Sequence, residues 1–310
     1  MRYRAISWRT VAFLTVPVIL VAATSATAMG SRGGELLASE EYRGVQEIVV
    51  ESDSFEVNVV GTQTDSTSIS VVGSRSVHAS IRRRGHRVVV EANERRALFS
   101  RSRVGGSIDI QTFEGITLEI EVGSGDIDAR GLQGGVVDLA TGSGDIVARS
   151  IFGESSFRTG SGELRMERVG GEVDAATGSG QITLLDSEGR LSLSSSSGNV
   201  TVRAVSGDVN ASSTSGIVLV TDAEGTFTLA STSGGVFCKG LRLRSSSRFS
   251  TISGDIELQL AQEPELFSYR LSSVSGEIAV GNTRSRGRLE RDGGRRVIEA
   301  STVSGSIRIE

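Results

Sequence analysis

A serine-glycine pair recurs along most of the chain at a nearly constant interval, and this repeat limits the possible folds more than any other feature. The glycine of the pair has an 18-residue period from Gly144 to Gly234, and then returns at wider and unequal steps at Gly254, Gly276 and Gly305. A second glycine series, from Gly135 to Gly225, falls midway between the pairs. A period of this length, divided into two halves, is typical of a solenoid.

The residues that follow each pair alternate between apolar and variable types. After Gly198, for example, Val200 and Val202 are apolar while Thr201 between them belongs to a column of unrelated residues. The second half repeats the pattern with Val209 and Ala211. Alternation with a period of two indicates strands with one buried face. We therefore predict an all-β fold, a parallel β-solenoid whose 18-residue coils contain two short strands and two tight turns.

Both ends of the repeat depart from this register. Residues 45–105 alternate without the serine-glycine pairs, and the segments 77–81 and 88–90 read as a hairpin with arginines at its tip. We predict an N-terminal β cap over 45–105 and the solenoid over 106–310. Asp292-Gly293-Gly294 is a turn signal for a second hairpin in the C-terminal insertion.

The last coil raises a separate question, because the sequence stops soon after Ile307 and Ile309. A terminal strand of this kind exposes unpaired backbone groups. Either the segment 281–301 folds over it as a cap, or the end pairs with another copy. We favour the cap and a monomer.

Positions 1–28 have the three parts of an export signal: the basic residues Arg2, Arg4 and Arg9, an apolar stretch over 11–23, and the small-residue site Ala26-Thr27-Ala28. We predict a cleaved signal peptide over 1–28 and a flexible leader over 29–44. The protein is then exported and periplasmic, at the cell surface or secreted. An uncleaved N-terminal membrane anchor is the alternative.

Composition excludes several classes of protein. With 39 glycines and 5% aromatic residues, the chain has little bulk for a thick core. The single cysteine, Cys238, allows no internal disulfide and stands in an otherwise apolar core column. Removing the segment 1–28 takes away three arginines and no acid, so the formal charge changes from −4 to about −7. This balance argues against a nucleic-acid partner.

The units Ser-Gly-Ser-Gly-Asp-Ile, Thr-Gly-Ser-Gly-Glu-Leu and Ser-Val-Ser-Gly-Glu-Ile resemble those of the bacterial putative-adhesin family, a group of exported β-strand-repeat proteins whose general function is not established. The resemblance covers about residues 45–310. It implies a surface or periplasmic location and adhesion, and it supplies no catalytic residues.

Basic clusters are the one charge feature above background. Nine arginines lie between Arg75 and Arg103, and six more between Arg284 and Arg296. They could hold an anionic ligand, or they could be solvated edges that discourage strand pairing, which we favour. The candidate anion-binding residues are Arg82, Arg83, Arg84, Arg87, Arg95 and Arg96.

Other sites are not supported by the sequence. The residue after each pair loses its carboxylate after three coils, which excludes repeated calcium cages. The Thr/Ser column that includes Thr141 and Ser213 shares the inward parity, so we expect it to hydrogen-bond within the stack and not to bind ice. His78 and His86 lack a third ligand nearby. We predict no catalytic, cofactor or metal site.

Two functions remain open. The first is a non-catalytic binding or scaffolding protein of the cell envelope, whose partner is an envelope polysaccharide, an anionic lipid or a surface protein. The second is a polysaccharide-active β-helix enzyme, which needs long loops around a groove. Residues 125–254 have no room for such loops, and this favours the first.

Overall fold

The computed structural model describes residues 34–74, 76–94 and 105–310. The signal peptide predicted over 1–28, the start of the leader, Arg95 and Arg96 lie outside the described residues. The described chain is all-β, as predicted, apart from one 3₁₀ turn at Pro264–Leu266. Its strands are β1 (Glu35–Arg43), β2 (Glu47–Ser52), β3 (Glu56–Thr62), β4 (Ser66–Gly73), β5 (Val77–Arg84), β6 (Arg87–Glu94), β7 (Ser107–Phe113), β8 (Thr117–Val122), β9 (Ile127–Thr141), β10 (Ile146–Thr159), β11 (Leu164–Thr177), β12 (Ile182–Leu185), β13 (Glu188–Ser195), β14 (Val200–Arg203), β15 (Ser206–Ser213), β16 (Val218–Thr221), β17 (Glu224–Ser231), β18 (Val236–Leu243), β19 (Ser247–Thr251), β20 (Ile256–Leu260), β21 (Phe267–Val280), β22 (Thr283–Arg291), β23 (Arg296–Thr302) and β24 (Ile307–Ile309).

Each central coil contributes one strand segment to each of two parallel sheets. The segment after the serine-glycine pair joins the first sheet, and the later segment joins the second sheet. In the first sheet β12, β14, β16 and β18 pair in parallel, and in the second sheet β13, β15 and β17 do so. Partners are one repeat apart, as in Val200 opposite Val218. The predicted parallel β-solenoid is confirmed.

The interior contains the columns that the alternation predicts. Val200, Val202 and Ala211 are completely buried, and Thr201 between the two valines is partly exposed. A further buried column lies where the two segments of a coil meet, and the sequence reasoning missed it. Its members are Leu132, Ile151, Val169, Val205, Ala223 and Leu241. The same column holds a buried serine, Ser187, in one coil. Burying an extra apolar side chain in each of the other coils adds stability that two columns per strand do not supply.

The Thr/Ser column forms a continuous hydrogen-bond ladder, as predicted. The hydroxyl of Ser213 donates to the carbonyl oxygen of Gly198 in the preceding coil at 2.9 Å and accepts from the amide of Gly216 in its own turn at 2.8 Å. The bond to the glycine of the preceding coil recurs along the stack. Its other donors are Thr141, Thr159, Thr177, Ser195, Ser231 and Thr251. These hydroxyls satisfy buried turn groups and join each coil to the next.

The two edges of the stack differ in their backbone requirements. One edge of the stack is formed by the serine-glycine turns, and we call it the Ser-Gly edge. A Cβ added to Gly180 would lie 1.7 Å from the carbonyl oxygen of Gly162, so the coils pack too closely for a side chain at this glycine position. The opposite edge, the corner edge, places one non-glycine residue per coil in the left-handed region. These residues are Ser150, Arg168, Asp186, Ala204 and Asp222, with φ of 50–54°.

The N-terminal end of the stack does not follow chain order. β2 lies between β6 and β8 in the second sheet, and β3 lies between β7 and β9 in the first. The predicted boundary at 105/106 between cap and solenoid is therefore wrong, because β2 and β3 are coil strands in parallel register. Antiparallel strands end the two sheets, with β4 and then β1 outside β7 in the first and β5 outside β6 in the second. The predicted hairpin is the β5–β6 pair.

The expected flexible leader over 29–44 is also wrong for its second half. β1 pairs antiparallel with β4 from Glu35 to Arg43. Leu37, Ala38 and Tyr42 pack against the core, so this segment gains both backbone hydrogen bonds and apolar burial.

The C-terminal end shows a second exchange of order. β24 lies between β20 and β21 in the first sheet, and β23 lies between β19 and β21 in the second. The coil that ends the sequence is thus next to last in the stack, and the coil around Gly276 is last. The expectation of an uncovered terminal strand is wrong, because β24 is paired on both sides.

The outermost strand at this end is β22, which runs antiparallel to β21 across both sheets. Its hairpin turn lies at Gly281 and Asn282, where Gly281 has a φ of 54°. The predicted turn at Asp292-Gly293-Gly294 instead connects β22 to β23. Part of the segment 281–301 therefore covers the stack as expected, although it covers β21 and not the strand that ends the sequence.

Candidate binding surfaces

The arginine-rich tip of the β5–β6 hairpin is the predicted anion site that the structure describes. Arg82, Arg83, Arg84 and Arg87 carry its charge, and the tip is solvent-accessible. Arg82 forms an ion pair with Glu91, and Arg87 lies 3.5 Å from the carboxylate of Glu47. These two contacts neutralise half of the described basic cluster.

The other two arginines lack a carboxylate partner in the described chain. Arg83 donates to the carbonyl oxygen of Gly85 at 2.7 Å, and its guanidinium lies 5.8 Å from the ring centre of Tyr42. Burial and the nearby Glu40 raise the pKa of the Tyr42 hydroxyl, while Arg83 lowers it. The Arg84 side chain makes no hydrogen bond or ion pair within the described residues. The structure thus leaves two guanidinium groups without a carboxylate partner at one exposed tip.

Several arginines on the outer faces of the coils are paired with carboxylates of neighbouring coils. Arg149 lies 3.0 Å from Asp128 and 4.0 Å from Glu167, in the coils on either side. Arg158 contacts Asp138 and Asp174 in the same way. Exposed pairs of this kind contribute little stability individually.

The acidic column after the serine-glycine pairs has a structural role. The Asp126 carboxylate accepts from the amide of Asp145 at 2.8 Å, and Asp145 accepts from the amide of Glu163 at 2.7 Å. Asn199 and Asp255 do the same for the coils that follow them in the stack. These side chains are used to bind backbone amides, which agrees with the exclusion of calcium cages.

A groove of about 590 Å³ lies at the corner edge. It is open and runs across several coils. Its charged lining residues are Arg168, Asp186, Glu188, Asp222 and Glu224. The enzyme hypothesis needs long loops around a groove, and this groove is lined by residues of the middle coils, between 152 and 224.

The remaining candidates from the sequence are a metal site, the histidines and Cys238. Among residues 34–74, 76–94 and 105–310, no group of three or more histidine, cysteine or acidic side chains could hold a metal ion. His86 contacts the carbonyl oxygen of Gly44 through Nδ1 at 2.9 Å. Cys238 is buried, and this burial raises the pKa of its thiol.

Exposed apolar residues form a surface that the sequence reasoning missed. Ile252, Val303 and Val274 occupy one column of the Ser-Gly edge and are 53%, 47% and 79% exposed. In the sequence they are far apart, and the stack places them on three consecutive coils. The repeating column itself was visible in the sequence, but the coil order is needed to place Val274 on the outermost coil, next to β22.

The family model for Toastrack, DUF4097, matches residues 45–310. The chain belongs to this family. The membership confirms the resemblance to the putative-adhesin proteins. Within the described ranges, the Toastrack chain has no helix that is long and apolar enough to cross a bilayer.

Solved structures of low identity also match. A putative adhesin from Bacteroides fragilis is 12% identical, with a TM-score of 0.36, and the match covers 89% of this chain and 97% of that one. A putative lipid binding protein from Parabacteroides distasonis is 14% identical, with a TM-score of 0.36, over 88% and 96% of the two chains. Such distant likenesses carry no argument about what this chain binds. No curated protein matches the chain.

Proposed function

We propose that this Toastrack protein is an exported, non-catalytic binding or scaffolding protein of the cell envelope. The observation that carries the proposal is the exposed hairpin tip, where Arg83 and Arg84 lack carboxylate partners in the described chain, whereas several arginines of the central coils are paired with carboxylates. Guanidinium groups grouped in this way favour polyanions. We propose an anionic envelope polysaccharide as the ligand of this tip.

The shape of the stack supports a surface function over catalysis. Connections between coils are short turns, and the corner groove is open, whereas a polysaccharide-cleaving site needs acids and bases that converge on an enclosed substrate. Antiparallel strands cover both ends, and β22 has four arginines against one glutamate. Charged edge strands oppose edge-to-edge pairing. We therefore propose a monomer.

Binding to a purified anionic envelope polysaccharide tests the hairpin. We expect the R83Q/R84Q variant of the full chain to bind more weakly than the wild type, and we expect added salt to weaken wild-type binding. The matched control is R244Q/R248Q, which removes the same charge from exposed arginines that are paired with Glu224 and Glu299. Equal binding by both double variants would contradict the hairpin proposal.

Two further measurements test the rest of the proposal. Incubating the polysaccharide with the protein should release no new reducing ends, and a time-dependent release would favour the enzyme alternative. Mass spectrometry of protein from fractionated cells should find an N-terminus near Met29 outside the cytoplasm. A full-length N-terminus in the membrane fraction would favour the anchored form.

A further inference from the structure

The last three coils of the stack carry an apolar column at the Ser-Gly edge. The amide of Ser304 donates to the carbonyl oxygen of Ile252 at 2.9 Å, and the amide of Ser275 donates to that of Val303 at 3.0 Å. Ile252, Val303 and Val274 therefore lie one above another on consecutive coils, about 4.8 Å apart. Each is exposed by about half or more.

The fold does not require apolar side chains at these positions. In the preceding coils the same column contains Gly142, Gly160, Gly178, Ser196, Thr214 and Thr232. The carbonyl oxygens of Gly178, Ser196, Thr214 and Thr232 accept the same bond from the next coil. Three exposed aliphatic residues at one end, where glycine, serine and threonine serve elsewhere, indicate a contact with something apolar.

Arginines border this column on the outer side. β22 passes the turn of Val274 at Gly287, a position at which an added side chain would meet open space. Arg286 lies opposite Glu277 and Arg288 lies opposite Ser272, so the two arginines flank the turn. Arg288 is paired with Glu290, and the Arg286 side chain has no hydrogen-bond or ion-pair partner in the described chain.

We propose that these five residues, Ile252, Val303, Val274, Arg286 and Arg288, form a docking patch for an anionic lipid bilayer. The aliphatic side chains enter the interfacial region while the arginines meet lipid phosphates, which is the usual division of roles at a membrane surface. The patch makes one end of the stack the membrane-proximal end. This inference rests on the proposed envelope function and adds a partner to it.

A second copy of the chain fits the patch less well. A two-fold contact through the column would bring Arg286 and Arg288 of both copies together, and like charges oppose such a contact. Stable protein interfaces also bury about 800 Å² per partner, which a column of three side chains cannot supply. A bilayer has no such minimum, and several weak contacts add to its binding.

Site-specific fluorescence tests this patch in the full chain, whose single tryptophan is Trp8. The V274W substitution in a W8F background places the reporter on the patch, and T214W in the same background places it in the same column on a more distant coil. With vesicles of phosphatidylglycerol and brominated phosphatidylcholine, we expect V274W to be quenched and T214W to stay unchanged. I252W replaces V274W if that variant does not fold.

The remaining arms separate lipid charge from other causes. Replacing phosphatidylglycerol with phosphatidylcholine should weaken vesicle binding of the V274W protein. Adding R286Q/R288Q should weaken its binding to phosphatidylglycerol vesicles by about fivefold per arginine removed. Absent quenching, or equal quenching of V274W and T214W, would overturn the proposal, and so would a concentration-dependent dimer that V274D abolishes in sedimentation. None of these outcomes changes the comparison of polysaccharide binding between the wild type and R83Q/R84Q. The membrane proposal can therefore fail while the hairpin proposal stands, and the reverse.

Discussion

The hydroxyl of Thr302 donates to the carbonyl oxygen of Gly254 at 3.0 Å, although the two residues are far apart in the sequence. The next bond of the ladder runs from Ser273 to the carbonyl oxygen of Gly305 at 2.8 Å. The order of coils is therefore the one around Gly254, then Gly305, then Gly276. Outer charges follow the same order, because Glu299 lies between Arg248 and Arg270.

The hydroxyl ladder should be a main source of stability between coils. S213A removes one donor and one acceptor from buried turn groups, so we expect a loss of about 1–3 kcal/mol in the free energy of unfolding. S213T keeps both bonds, and S212A changes a neighbouring side chain on the outer face. Denaturant unfolding of the three variants checks this, and an S213A midpoint equal to that of S212A would contradict the ladder.

The corner edge stores backbone strain that glycine can relieve. Ala204 has a φ of 54°, in the left-handed region, which costs an alanine about 1–2 kcal/mol. We expect A204G to raise the stability by up to about 1 kcal/mol, although glycine normally weakens a strand. The control is A230G in the extended strand β17, which should cost about 0.5–1 kcal/mol. Thermal melting in which both variants lose stability would show that the corner is not strained.

Alkaline pH should weaken the last coil through Tyr269. Its side chain is buried, its hydroxyl donates to the carbonyl oxygen of Pro264 at 2.7 Å, and burial raises its pKa to about 12. In the unfolded chain the tyrosine pKa is about 10. The stabilisation from the neutral phenol is therefore complete below about pH 10 and is lost as the pH rises through about 12.

The matched variant for this effect is Y269F, which cannot ionise. From about pH 9 to about pH 12, the melting temperature of the wild type should fall further than that of Y269F. Parallel curves for the two proteins would mean that the Tyr269 hydroxyl is not shielded as the structure shows.

Local patterns made most of the fold predictable. Alternation around Thr201 placed Val200 and Val202 in the core, and the parity of Ser213 placed its hydroxyl inside, because both depend on residues that are close in sequence. The order of coils at the two ends depends on pairing between segments that are distant in the sequence. The longer steps of the repeat near the C-terminus do not show which two coils will be adjacent in the stack. The hairpin arginines depend on local sequence and could be predicted, whereas the position of β22 beside Val274 depends on the coil order and could not.

Pairwise cysteine substitution at the Ser-Gly edge tests the coil order most directly, and the arginine border of the membrane patch depends on that order. Cysteines on adjacent coils fall within the Cα separation of about 4.4–6.8 Å that a disulfide spans, and cysteines two coils apart do not. In a C238S background, I252C/V303C should form a disulfide under mild oxidation and I252C/V274C should stay reduced, as read by mass spectrometry of the intact protein. The reverse result, a disulfide in I252C/V274C and none in I252C/V303C, would mean that the coils stack in the order of the sequence.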